Sequence, residues 1–552
     1  MHDPRAALAE SVHAPPDARP RGVPADRTLV ALAAAKLLLH ATAITRYGYF
    51  RDELYYLVCA RHPAAGYVDQ PPLSIALLAA WRWLVGDSLA GMRLVPLLAH
   101  MALVALTLQL TRRLGGGVFA QTLAGVGALS SLVYLGGSHH YSMNPLDVVF
   151  WALASLALMR ALERGRGFDW AIVGAVVGLG LMNKLSMLWC AGGLALGVAA
   201  SARRRVFATA GPWLAAGIAG ALFAPYVLWQ IQHGWPTLEF MHNATTRKMA
   251  GVTFAGFALG QVLAMNPLLA PVWMSGLVSG FRRAGGGTNG AGESNRGAQA
   301  RLAGDMGLVL AVQYVAVFAL LMVAGKARAE YLTPAYPGLL ALGAIAFERG
   351  TSASPPGLGE PRRGRTWWRI PVLALPLAGM LALLPFALPV LPSEAFVRYQ
   401  AALGRSPATE ERHRMGVLPQ HYADMFGWPE LADSVARASA SLTADERARA
   451  IVVVGNYGEA GALEMFGAGR LPRVACQHNN WYLWGPPAWD RSVAIFVGRD
   501  SAEVASECAE VRVAGMAGHP LAMPYERDLP IVIGRGFWPD LAAAWKQGKN
   551  FR

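Results

Sequence analysis

Charge is what this chain has least of. Of its 552 residues only 15% are Asp, Glu, Lys or Arg, whereas 54% are hydrophobic. Soluble globular chains carry about 25% charged residues. The deficit excludes a cytosolic enzyme and a disordered chain, and points to lipid as the main solvent. Cysteine is also scarce: Cys59, Cys190, Cys476 and Cys508 give neither zinc-ligand spacing nor the disulfide framework of a small secreted module. Lysine occurs only six times among 49 basic residues, so arginine is the default cation. A cleavable leader is not recognisable. Residues 1–27 are rich in Pro, Asp and Arg, and the apolar run after them offers no small-residue cleavage site before Tyr47, so the first span is expected to stay as an anchor.

Eleven apolar stretches approach or exceed the roughly 17–25 residues needed to cross a bilayer: 28–45, 92–111, 118–135, 146–162, 170–185, 187–202, 206–229, 254–281, 307–324, 331–347 and 370–391. A twelfth, 71–86, is short, opens with two prolines and contains Arg82. Arginine placement decides how to count it, because Arg and Lys in short loops accumulate on the cytoplasmic side. With 71–86 lying along the outer interface, one side receives Arg19, Arg21 and Arg27, then Arg112 and Arg113, then Arg160, Arg164 and Arg166, then Arg203 to Arg205. The same side receives Arg282, Arg283, Arg296 and Arg301, and finally Arg349, Arg362, Arg363, Arg365 and Arg369. If 71–86 spanned, every later loop would change sides and contradict the N-terminal arm. The N-terminus is therefore expected inside and everything after Leu391 outside. The excess of 49 basic over 35 acidic residues is accordingly topological and implies no nucleic-acid partner.

The expected organisation is a cytoplasmic arm (1–27), a transmembrane module (28–391) and an extracytoplasmic α/β domain (392–552). In the last, the strand-like runs IVVVGNY, VAIFVG, VRVAG and IVIGRG alternate with helical stretches such as ELADSVARASASL. Two linkers, GGGTNGAGESNRGAQ and GTSASPPGLGEPRRGR, read as flexible. Cys476 and Cys508 fall in the outer domain, where a disulfide would form if their Cα atoms lay within about 7 Å.

The outward loop 46–72, RYGYFRDELYYLVCARHPAAGYVDQPP, is the most informative stretch. Asp52 and Glu53 sit among Tyr47, Tyr49, Tyr55 and Tyr56 beside the membrane surface. Partial desolvation raises carboxylate basicity, so either acid suits a general base; the plainer alternative is a helix start capped by Asp52 with tyrosines as interfacial anchors. The second outward loop, GGSHHYSMNPLDVVFW, carries Asp147 at the mouth of a span. An acid there must face protein, water or a partner, or it opens a helix with Pro145. His139 and His140 are adjacent, so their side chains diverge and suit packing better than a shared metal. Lys184, Lys248 and Lys326 fall at or near outer ends of spans, where a cation suits a phosphate; singly, each is also explained by reaching to headgroups. In the outer domain, GNYGEAGALEMFG is a glycine-bearing strand-to-helix turn, either a phosphate cradle or a structural turn. QHNNWYLWGPP is either a sugar platform or a loop packed onto the membrane module.

FRDELYY with the downstream DQPPL resembles the first loop of glycosyltransferase family 39-type enzymes. These are GT-C membrane proteins that include protein O-mannosyltransferases and lipid A aminoarabinose transferases. PLDVVFW, GLGLMNKLSM and EYLTPAYPGLLAL extend the resemblance over most of 28–347. It implies a polytopic α-helical membrane protein of GT-C type with a C-terminal extracytoplasmic α/β domain, set in a bacterial plasma membrane with its site facing outward. It further implies inverting transfer of a hexosyl or pentosyl group from a polyprenyl-phosphate donor to a lipid, glycan or protein acceptor. The family's first-loop acid maps onto Asp52, with Glu53 beside it, and the second-loop acid onto Asp147. Lys184 and Lys326 match the family's phosphate-holding cations by position, and Arg51 is expected to join them. Tyr55, Gln70 and Tyr331 are expected substrate contacts. Gln70 is a departure, because some members carry lysine there. No cofactor is required, since a lipid-phosphate leaving group needs cations and not a proton; a divalent metal is compatible but not implied. The competing classes are a transporter or flippase of a lipid-linked sugar, which lacks support from any internal repeat, and a non-catalytic scaffold, which would not need clustered acids and lysines on the outer side.

Overall fold

The computed structural model describes residues 24–285, 295–326, 328–350, 367–407, 409 and 411–552. The N-terminal arm up to residue 23 and the second linker from residue 351, with Arg362, Arg363 and Arg365, lie outside these residues. The first linker is helical from Asn295 onward.

All eleven apolar stretches fold as helices, and so does 71–86. In chain order they are α1 (Pro24–Ala41), α2 (Arg51–Arg61), α3 (Leu73–Val85), α4 (Leu89–Arg113), α5 (Val118–Ser130), α6 (Leu132–Gly137), α7 (Asn144–Arg164) and α8 (Gly167–Asn183). These are followed by α9 (Met187–Ala200), α10 (Ala210–Gln232), α11 (Pro236–Asn243), α12 (Phe254–Met265), α13 (Ala270–Gly285), α14 (Asn295–Ala324), α15 (Tyr336–Gly350) and α16 (Arg369–Ala387). Helices α2, within the loop 46–72, and α11 are the ones in this part of the chain that lie outside the apolar stretches.

Length and composition qualify five of them to cross a membrane: α4, α7, α10, α14 and α16. The stretch 254–281, expected as one span, is two helices bent by 93°. The cause is Asn266-Pro267. Pro267 has no N–H to donate, and Asn266 adopts φ +88°. The Asn266 side chain then substitutes for the broken ladder, donating to the carbonyls of Ser130 (3.3 Å) and Pro376 (2.8 Å) and accepting from Leu268 N (3.1 Å). With α13 and α15 the backbones touch: a Cβ on Gly276 would lie 2.0 Å from Leu339 O, and one on Gly343 1.9 Å from Val272 O. Small residues permit such an approach where lipid supplies no hydrophobic drive.

From Ser393 onward the chain builds a mixed sheet flanked by short helices. These are α17 (Ser393–Ala402), α18 (Gln420–Ala423), α19 (Trp428–Ala440), α20 (Ala444–Arg449), α21 (Tyr457–Phe466), α22 (Asn480–Trp484), α23 (Ser501–Ala505) and α24 (Leu541–Gln547). Strands β1 (Ile451–Val454), β2 (Arg473–Cys476), β3 (Val493–Val497), β4 (Cys508–Ala517) and β5 (Leu529–Phe537) lie in the order β2-β1-β3-β5-β4. The first three are parallel and the last two antiparallel. The four strand-like runs seen in the sequence are β1, β3, β4 and β5; the edge strand β2, with only RVAC, is the one not anticipated. All four cysteines are free and buried. Cys476 and Cys508 occupy opposite edge strands, four spacings of about 4.8 Å apart, which rules out the disulfide.

This domain docks on α2. Gly458 and Gly461 let α21 approach closely: a Cβ on Gly461 would lie 3.0 Å from Leu54, and one on Gly458 2.7 Å from Arg51. Asn456 caps α21, its Oδ1 accepting from Gly458 N (2.9 Å) and Glu459 N (3.1 Å). The cap therefore takes amide donors that a phosphate cradle would need, and the glycines serve packing. QHNNWYLWGPP is packed down on the membrane module. Trp481 stacks on Tyr55 (5.7 Å between centroids) and Trp484 on His62 (4.3 Å). The chain terminus is laced to α11 by Lys549–Glu239 (2.6 Å) and by Asn243 Nδ2 donating to Phe551 O (2.9 Å).

Candidate active site

Glu53 and Arg93 form an ion pair at full burial, with no solvent exposure of either side chain. Arg93 Nε donates to Glu53 Oε1 (3.0 Å) and Nη2 to Oε2 (2.7 Å). Tyr141 N (2.9 Å) and Phe50 N (2.9 Å) donate to the two remaining lone-pair sites. A carboxylate offers about four such sites, so Glu53 has none left for an incoming hydroxyl. It also closes the N-terminus of α2 through Phe50 N, so the capping role considered for Asp52 belongs to Glu53. Arg93 ties in the carbonyls of Ile44 (2.8 Å) and Gly48 (2.7 Å) and approaches His139 Nε2 (3.3 Å). One pair thus fixes the entry to α2, the loop before it and the loop before α7.

With Glu53 turned inward, Asp52 faces the other way and is half-buried. Its Oδ1 accepts from Tyr457 Oη of the C-terminal domain (2.8 Å). Beside it stands Asp69, which sequence reading passed over in favour of its neighbour Gln70. Burial pushes the Asp69 carboxyl up to about 6, Tyr55 opposes this with a hydrogen bond, and the nearby Asp52 charge adds to the rise. Tyr55 Oη lies 2.8 Å from Asp69 Oδ1 and 3.1 Å from Asn480 Oδ1, and Asn480 also fixes Val68 N (2.8 Å). Two acids, one easily protonated, therefore share a face walled by tyrosines. Gln70 is fully buried, and neither amide atom has a protein partner among the described residues. A buried amide in that state is one that an added polar group would satisfy.

A cavity of about 290 Å³ opens between α4, α6, α7 and the segment 330–334. Asp147, Lys184, Asn144, His139, His140 and Glu330 line it. Asp147 is 1% exposed and is held through Oδ2 by Ser186 (2.7 Å) and Lys184 (3.5 Å). Lys184 Nζ also donates to Asn144 Oδ1 (2.7 Å) and lies 5.5 Å from the Tyr331 ring centroid. The structure thus brings together Asp147, Lys184 and Tyr331, three residues singled out from distant parts of the sequence. His140 connects the two regions: it lines the cavity and packs on Phe50, next to α2 (4.6 Å between ring centroids).

Arg51 and Lys326 do not line this cavity. Arg51 is buried in the interface with the C-terminal domain, 4.4 Å above the Tyr457 ring and donating to Tyr525 Oη (3.0 Å). Three acids surround that guanidinium: burial pushes Asp424 up to about 6 and raises Glu459 and Glu526, Arg51 opposing in each case. Lys326 is half-buried beside Gly325. Lys248 (3.4 Å) and Arg328 converge instead on Glu411. Burial alone would raise that carboxyl, but the two cations outweigh it and hold it low. Arg93, Asp69, Tyr457 and Asn480 went unrecognised in the sequence. For Arg93 a signal existed, a charge inside an apolar helix. Among the described residues no three His, Cys, Asp or Glu side chains converge as a metal-ligand set.

The fold is shared with solved structures. Over 92% of this chain and 97% of the other, the structure matches ArnT from Cupriavidus metallidurans bound to undecaprenyl phosphate, with a TM-score of 0.57 and 15% identity. The archaeal oligosaccharyltransferase AglB from Archaeoglobus fulgidus, in complex with an inhibitory peptide and a dolichol-phosphate, matches over 81% of this chain and 64% of the other, with a TM-score of 0.50 and 11% identity. The chain is a multi-pass membrane protein with the GT-C fold. Residues 69–229 match the family model described as dolichyl-phosphate-mannose-protein mannosyltransferase, which bears out the resemblance read from DQPPL, PLDVVFW and GLGLMNKLSM; FRDELYY and EYLTPAYPGLLAL lie outside the matched residues. Among curated protein sequences none matches.

Removing one partner of a buried pair leaves a charge uncompensated and typically costs about 3–5 kcal/mol. Glu53→Gln is therefore expected to lower the melting temperature and yield of purified protein sharply, while what remains folded keeps its turnover. Unchanged melting would show that the pair is not the organiser of the loop.

Proposed function

We propose that this protein transfers a sugar from a polyprenyl-phosphate donor to an acceptor at the outer face of a bacterial plasma membrane, with inversion at the anomeric carbon. The observation that carries this reading is the division of charge around His140, with Asp52 and Asp69 on the α2 face and Lys184 in the cavity. The acceptor oxygen attacks the anomeric carbon while Asp52 takes its proton. The bond from that carbon to the phosphate oxygen breaks on the opposite side, and the electron pair leaves with the phosphate. A phosphate leaving group is stabilised by a cation and needs no proton, which suits Lys184. Asp147 and Asn144 together hold Lys184 toward that position. Asp69, whose carboxyl burial raises to about 6, stands beside Asp52 as the second acid of this face. Likeness to ArnT, whose structure holds undecaprenyl phosphate, supports the donor class.

In this reading eleven spans place the N-terminus inside and residues 392–552 outside, with α3 along the outer interface, so that Tyr457 and Asn480 complete the site from the extracytoplasmic side. Impermeant thiol labelling of intact cells should mark Ala440→Cys from outside and leave Ala300→Cys unmarked until the membrane is opened. Labelling of both from the same face would overturn this orientation.

Purified protein given a polyprenyl-phosphate sugar and an acceptor should release polyprenyl phosphate. Asp52→Asn keeps the size of the side chain and a hydrogen-bond acceptor for Tyr457. It is expected to melt as the parent does while turnover falls by roughly a hundredfold or more, the scale of a lost general base. Near-normal turnover would remove Asp52 from the role and make Asp69 or Asp147 the base to test.

A further inference from the structure

Lys36 has an environment that the steps above do not use. It sits in the apolar helix α1 and is 1% exposed. Its Nζ donates to Ser138 Oγ (2.5 Å) and lies 3.1 Å from His40 Nε2. His100 on α4 approaches the same hydroxyl (Nδ1 to Oγ, 3.3 Å). The remaining charged or titratable groups nearby are His139 and Arg93, and the charge of Arg93 is matched by Glu53. No carboxylate lies within ion-pair distance of Lys36 among the described residues. A cation in a membrane interior is expensive unless it faces a partner or a substrate path.

Lys36 is one hydroxyl away from such a path. Ser138, His100 and His139 all line the cavity that holds Lys184. The other charged groups on that cavity have opposite partners: Lys184 has Asp147 (3.5 Å), and Glu330 has Arg328 (3.6 Å). An anion filling the cavity would favour the charged form of Lys36 across Ser138, in surroundings whose lower dielectric strengthens the attraction relative to water.

We propose that Lys36 is a positioning residue for the phosphate of the lipid-linked donor, acting through Ser138 from behind the cavity wall. This rests on the transferase reading for the identity of the lipid, and on the cavity geometry alone for the anion. Lys184 engages the phosphate from the α8–α9 side. Lys36 draws it toward the Ser138 wall, so the two lysines fix its place along the cavity.

The test uses the full-length purified protein and its Lys36→Met variant, which keeps length and apolar bulk, with Ser138→Ala as a second, milder variant. Binding of polyprenyl phosphate, of the phosphate-free polyprenol and of inorganic phosphate is measured beside donor KM and kcat. Lys36→Met should weaken polyprenyl phosphate and raise donor KM by about tenfold or more, the scale of one charge-assisted contact. Polyprenol binding should stay within about twofold, because polyprenol carries no phosphate, and so should kcat at saturating donor, because a residue that positions the phosphate equally before and during bond breaking shows its loss in KM alone. Ser138→Ala should shift the same two quantities in the same direction by less, and it decides the matter if Lys36→Met does not fold. Unchanged polyprenyl-phosphate affinity in the folded variants would overturn the proposal. An equal loss of polyprenol binding would also do so, since that is how a purely structural lysine behaves. Inorganic phosphate binding as tightly as the lipid would reassign the anion to a free phosphate. A parent protein that binds polyprenyl phosphate and loses it in Lys36→Met, yet turns nothing over, would refute the transferase reading while leaving Lys36 in place; turnover with an unaltered KM in Lys36→Met would do the reverse.

Discussion

The Glu53–Arg93 pair is the interaction on which the acid-bearing face of this molecule depends. A charge pair removed from water gains from its own attraction only when every remaining lone pair and proton is satisfied, and here the loops supply the partners. Phe50 N and Tyr141 N bind the carboxylate, and Ile44 O and Gly48 O bind the guanidinium. Three segments distant in sequence are thereby held at fixed separations. Because adjacent helical side chains point in different directions, fixing Glu53 inward fixes Asp52 outward.

That orientation explains why the C-terminal domain belongs to the site. Asp52 faces Tyr457, and Asp69 is bound by Tyr55, whose hydroxyl also meets Asn480. The glycines of α21 permit the approach, and Arg51 packs against Tyr457 and Tyr525 in the same interface. The membrane module and the C-terminal domain are therefore two halves of one acid-bearing face, while Asp147 and Lys184 both come from the membrane module.

Much of this could be read from the sequence wherever a pattern is local. Hydrophobic runs gave the helices, arginine clusters suggested an orientation, and alternating strand-like runs gave most of the sheet. The acid loop and the PLDVVFW acid stood out because charge near a membrane boundary is rare and needs a reason. What escaped were contacts set by tertiary geometry. Nothing in DEL says which of two neighbouring acids will meet an arginine forty residues away. Arg51, a reasonable phosphate ligand by position, is captured by the C-terminal domain's tyrosines. The bend at Asn266-Pro267 was hidden inside a continuous apolar run, because it is the Asn266 contacts to Ser130 and Pro376 that stabilise it. Lys36 and Arg93 are isolated charges within the apolar stretches 28–45 and 92–111, a pattern that calls for a buried partner or a substrate path wherever it occurs.

The proposed single displacement, in which an acid on the α2 face activates the acceptor and the phosphate leaves toward Lys184 in the cavity, would fix the stereochemistry of the product. The anomeric configuration of that product is therefore the most direct test. With a donor of defined anomeric configuration, proton NMR of the isolated product should show the opposite anomer from the first turnover onward. A product that retains the donor's configuration would contradict this mechanism, because retention requires a route other than direct in-line attack.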